Sequence, residues 1–80
     1  MMGYVVIAIP VDNTPTREEL NQAIKLNIEE PDKVPIACES KTDLVKVYKL
    51  SGDLMYDDGE LTDEGYETIQ KLIKEQKSEI

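Results

Sequence analysis

The sequence predicts an α+β fold: a small two-layer domain, a three- to four-stranded mixed sheet with two helices on one face, in the order β-α-β-β-(β)-α. Three observations lead there. Residues 4–11 form an apolar, β-branched run on both alternating faces, as a strand covered on two sides does. Two later segments repeat apolar residues at helical spacing along one stripe each, so both helices can bury that stripe on the same sheet. Between them lie short alternating segments bounded by turn residues.

The strand at 4–11 ends in Asp12-Asn13-Thr14-Pro15, which is turn chemistry, and a helix follows with Thr14 or Thr16 as its N-cap. Thr16 with Glu19 fits a capping box, whereas Thr14 would place Pro15 at the first helical position. Leu20, Ala23, Ile24 and Ile28 give the helix its stripe, and Pro31 bounds it. Val34, Ile36 and Cys38 alternate with Pro35, Ala37 and Glu39, which predicts a second strand with Val34, Ile36 and Cys38 toward the core. Pro35 cannot donate to a ladder, so this strand belongs near an edge.

After the turn at 40–43, residues 44–50 read as a third strand, and Ser51-Gly52 reverses the chain into a short fourth at 53–56. Asp57-Asp58-Gly59 is a second turn. Thr62 then caps a last helix, with Asp63 and Glu64 near its positive end and Lys71, Lys74 and Lys77 toward its negative end. Leu61 and Tyr66 have the spacing of a hydrophobic staple, and Tyr66, Ile69, Leu72 and Ile73 form the buried stripe. Gly65 costs this helix about 1 kcal/mol relative to alanine.

The 80 residues make a single domain, 1–80, with no repeat, linker or low-complexity stretch. A chain of this size buries only about 60% of its unfolded surface, so its margin of stability is thin. Trp and Phe are absent and the formal charge is −8. Bases therefore lack the usual stacking rings and phosphates meet repulsion, which argues against direct nucleic-acid binding. The run at 4–11 is too short to span a membrane and resembles no targeting segment, and a single Cys38 suits a reducing compartment, so a cytoplasmic protein is expected.

No histidine is present, which removes the usual general base, the Ser-His and Cys-His nucleophiles and the commonest transition-metal ligand. Cys38 sits in an apolar pattern with no base nearby and reads as a buried structural thiol. Asp12 ends a strand where some phosphotransferases keep a nucleophile, but no glycine-rich loop accompanies it, and a turn or capping role is expected. These residues call for no cofactor and no enzymatic activity.

The remaining feature is the charge. Residues 53–67 hold seven acids and no base, while the rest of the chain holds ten acids and nine bases, so nearly all the net charge lies in one segment. As a calcium loop with Gly59 at the sixth position, it would put Leu54, Tyr56 and Gly65 where ligands belong, so that pattern fails. The expected function is a small non-enzymatic protein-binding module, a regulator or inhibitor. Its acidic face of Asp53, Asp57, Asp58, Glu60, Asp63, Glu64 and Glu67 would dock on a larger protein with a basic surface, imitating a row of phosphates as a nucleic-acid mimic does. An inhibitor carried by a phage or other mobile element fits the short, acidic composition. The alternatives are a self-associating structural subunit, such as a homodimer joined at a strand edge or open sheet face, and a weak divalent-cation binder using Asp53, Asp57, Asp58 and Glu60.

Overall fold

The computed structural model describes residues 3–78, with side chains to residue 75; Lys77, expected near the end of the last helix, lies outside the described side chains. The elements are β1 (Tyr4–Pro10), α1 (Arg17–Glu29), β2 (Val45–Ser51) and α2 (Asp63–Ser78), with a 3-10 turn at Gly52–Leu54 before α2. β1 and β2 pair antiparallel, Tyr4 opposite Ser51 and Pro10 opposite Val45. The α+β class and both helices are as expected, but the sheet among the described residues has two strands instead of three or four.

The expected second strand shrinks to one parallel bridge between Ala8 and Ile36. There the Ala8 N–H donates to Pro35 O at 2.9 Å and the Ala37 N–H donates to Ala8 O at 2.8 Å. The next donor along that edge of β1, the Val6 N–H, is taken by the Asn27 side chain at 3.0 Å, and Asn27 Nδ2 donates in turn to Lys33 O at 2.7 Å. A helix side chain thus occupies the place where a ladder would continue. Asn27 is only 5% exposed, and a buried backbone group left without its partner costs about 1–3 kcal/mol.

Because the segment touches β1 at one residue, it is not pleated. Ala37 and Cys38 are both buried in succession, while Val34 and Ile36, expected in the core beside Cys38, are exposed. The expected fourth strand is likewise absent. Ser51 Oγ accepts the Asp53 N–H at 3.3 Å and starts the 3-10 turn, so only Met55 pairs, in a single antiparallel bridge to Leu61.

Val5, Ile7 and Ile9 point to one side of the sheet and share a core with Leu20, Ala23 and Ile24 of α1 and Ile69 and Ile73 of α2. Leu50, Met55 and Leu61 complete that core. The α1 stripe is narrower than its pattern, since Ile28 is exposed and Asn27 is buried, and Leu72 of α2 is also exposed. Thr16 is the N-cap of α1, with Glu19 completing the capping box. Thr62 caps α2 by accepting the Gly65 N–H at 2.9 Å.

Gly65 has a packing reason. A Cβ there would overlap the carbonyl of Leu54, whose oxygen accepts the Thr62 N–H at 3.1 Å. Helix propensity alone makes Gly65→Ala stabilising by about 1 kcal/mol; the close approach of the 3-10 turn makes it destabilising instead. Urea denaturation reads the sign, and a more stable Gly65→Ala variant contradicts this packing.

Candidate functional site

The acidic segment is fastened to α1 through Leu61, which is 1% exposed. Its N–H donates to Asn21 Oδ1 at 2.9 Å and its carbonyl accepts from Arg17 Nη2 at 2.9 Å. Arg17 and Asn21 stand one turn apart on α1. Arg17 also pairs with Asp63 at 2.9 Å and lies over the Tyr66 ring, 5.4 Å from its centroid. One guanidinium therefore joins α1 to the residue before the α2 cap, the first turn of α2 and the aromatic half of the staple.

The loop between Met55 and Leu61 is closed by two further bonds, Tyr56 N–H to Glu60 O at 2.7 Å and Gly59 N–H to Tyr56 O at 2.9 Å. Asp58 Oδ1 accepts the Glu60 N–H at 3.0 Å, the local turn bond expected of an Asp-Gly pair. Gly59 has φ 91° and lies against α1, where a Cβ would stand 3.0 Å from Ile28 Cδ1. Only glycine meets both demands without strain.

On this frame all seven expected residues are exposed: Asp53 on the 3-10 turn, Asp57 and Asp58 at the loop tip, Glu60 beside them, and Asp63, Glu64 and Glu67 on α2. The last three span an arc of about 100° on the side of α2 away from Ile69 and Ile73. The absence of basic residues from the segment is partly offset by the fold. Arg17 reaches Asp63, and Lys25 stands 3.7 Å from Glu60. Among the described residues Asp53, Glu64 and Glu67 have no ion pair. No three acidic or thiol side chains converge as ligands for a cation among the described residues.

Arg17, Asn21 and Lys25 carry the attachment, a role that the sequence alone does not assign to them. They recur every fourth residue beside the apolar row of Leu20, Ala23 and Ile24, which marks a polar border on the buried stripe. That spacing was the available signal, but it does not say what the border touches.

Asp12 lies outside this face, and Cys38 is a buried thiol in no disulfide among the described residues. Asp12 Oδ2 accepts the Lys41 N–H at 2.8 Å and Oδ1 accepts the Ser40 hydroxyl at 3.3 Å, tying the end of β1 to the turn before β2. Loss of water pushes the Asp12 carboxyl upward, but hydrogen bonds from the Lys41 amide, Thr42 and Ser40 outweigh it, so its pKa lies below 3.8. A depressed folded-state pKa stabilises the fold above the unfolded pKa, and that contribution disappears as pH falls through the folded value. Asp12→Asn is therefore less stable than the parent at neutral pH, with the gap closing below about pH 3.8; urea titrations across pH check this, and a gap that persists in acid contradicts it.

No helix among the described residues is long and apolar enough to cross a membrane. Comparison with protein families, with curated proteins and with solved structures finds no match to this chain.

Proposed function

We propose that this protein is a small non-enzymatic binding module, a regulator or inhibitor that docks on a larger protein through its acidic face. Asp53, Asp57, Asp58, Glu60, Asp63, Glu64 and Glu67 meet a basic surface on that partner, in the manner of a nucleic-acid mimic occupying a phosphate-binding groove. The observation that carries this reading is the contrast between side chains and backbone. Seven carboxylates are exposed, yet the chain beneath them is fixed by Arg17 and Asn21 at Leu61, by Gly59 on α1 and by Leu54 under Thr62. A charged surface held in one shape loses little conformational entropy on binding. A solvated turn serving only to connect two elements needs no such support.

The composition adds to the reading. A chain without histidine, and with its one thiol buried, has few groups able to move protons or attack a substrate at neutral pH. Cys38, a thiol in no disulfide among the described residues, fits a reducing, cytoplasmic setting.

Charge-driven docking weakens with salt, because the screening length shrinks from about 10 Å at 0.1 M to about 3 Å at 1 M. Asp53, Glu64 and Glu67 are the residues to reverse, since Arg17–Asp63 and Lys25–Glu60 then stay intact. The parent chain retains its partner from a cell lysate at low salt and releases it at about 1 M. The triple Lys variant, folded by circular dichroism, fails to retain it. Equal capture by parent and variant contradicts the proposal.

A further inference from the structure

The sheet has a second face, turned away from the core residues of both helices. Residues opposite one another in a ladder share a face. Val5 and Ile7 therefore lie with Leu50 and Tyr48 toward the helices, whereas Tyr4, Val6 and Ala8 lie with Lys49 and Val47 on the other side. Ile36, bridged to Ala8, joins this second face. Its centre is an apolar row of Ile36, Ala8 and Val47, in which Ala8 is covered by its neighbours while Val47 is 57% and Ile36 56% exposed. This leaves an apolar patch at the centre of a face that the core residues of the helices do not cover.

The charges on this face have an order. At one end Lys49 lies over Tyr4, its Nζ 4.0 Å from the ring centroid. The opposite end is a hollow of about 490 Å³, floored by Ile36, Cys38 and Val45 and rimmed by Glu19, Glu39 and Asp43. Glu19 is committed to the Thr16 N–H at 2.9 Å, which leaves Glu39 and Asp43 as the carboxylates turned to a newcomer. Cation, apolar centre and anions thus succeed one another along the strands.

We propose that this face packs against the same face of a second copy, about a two-fold axis lying in the interface along the Ile36–Ala8–Val47 row. Such an axis reverses strand direction and keeps β2 over β2. It carries the Lys49 end of each copy, about 13 Å from the Val45 end, onto the Glu39 and Asp43 rim of its mate. Self-complementary charge about that row is the requirement of a two-fold contact, and it selects a second copy over an unrelated apolar partner. Leu54, Met55 and Leu61 of the acidic segment pack into the core with the helices, on the other side of the sheet. Three chain tracks of up to seven residues present on the order of 300 Å² per copy, well under a standard interface, so the dimer is weak. This inference stands on the sheet face and does not depend on the acidic segment.

Sedimentation velocity of the full chain at low salt, from about 10 µM to about 1 mM, tests it. The parent moves from monomer to dimer across that range. Val47→Lys, at an exposed position and checked for folding by circular dichroism, stays monomeric. Lys49→Glu weakens association about tenfold, and adding Glu39→Lys to it restores association. A parent that remains monomeric at about 1 mM, or a dimer indifferent to Val47→Lys, overturns the proposal. So does a dimer that newly protects the outward amides of Val47 and Lys49 from hydrogen exchange, because strands would then be joined edge to edge.

Discussion

The arrangement of the molecule depends on the way α1 holds the backbone of Leu61. A buried N–H and a buried carbonyl both need partners, and the segment 55–61 has a single bridge with which to supply them. Asn21 and Arg17 meet the two groups from one helix face. Without them Leu61 could enter the core only by leaving polar groups unpaired, at about 1–3 kcal/mol each, a large share of a small domain's stability. With them, the turn ahead of α2, the N-cap at Thr62 and the first turn of α2 are placed against α1 together. The acidic face inherits its shape from that contact and not from its own charges, which repel.

The opposite edge of the molecule follows the same logic. Asn27 receives the Val6 N–H and holds Lys33 O, so α1 completes the edge of β1 that a longer strand would otherwise complete. Polar side chains of one helix thereby replace ladder bonds at two places. This is why two strands suffice for a sheet here, although an isolated two-stranded hairpin is marginal in water. The helices cover one side of that sheet, and the apolar row of Ile36, Ala8 and Val47 is left on the other.

Much of the architecture was legible in the sequence because it rests on local rules. The apolar run of β1, the stripe of Leu20 and Ile24 and the staple of Leu61 with Tyr66 all follow from spacing within one element, whereas spacing allowed both Thr14 and Thr16 as N-cap and the structure uses Thr16. The failures occur where tertiary partners decide. Val34, Ile36 and Cys38 alternate as a strand should, but Asn27 had already taken the donor that a strand would need. Residues 53–56 read as a short strand after the Ser51-Gly52 reversal, but Ser51 starts a 3-10 turn at Gly52–Leu54, and the Leu54–Thr62 contact leaves only Met55 bridged. Asp58, Asp63 and Glu64 were readable as turn and helix-start residues. That Arg17 and Lys25 come to Asp63 and Glu60 was not, since those contacts span 46 and 35 positions of the sequence.

Held at Leu61 by α1, the acidic segment is part of the cooperative fold and not a loop laid over it. Native-state hydrogen exchange of the Leu61 amide is the direct check, because this N–H is held by Asn21 alone among the described residues. If Leu61 opens only with the whole molecule, its amide exchanges with the same opening free energy as those of Ile7 and Ile24 in the core. Exchange of Leu61 orders of magnitude faster than at Ile7 and Ile24, with α1 still protected, would show the segment detaching by itself and contradict the account.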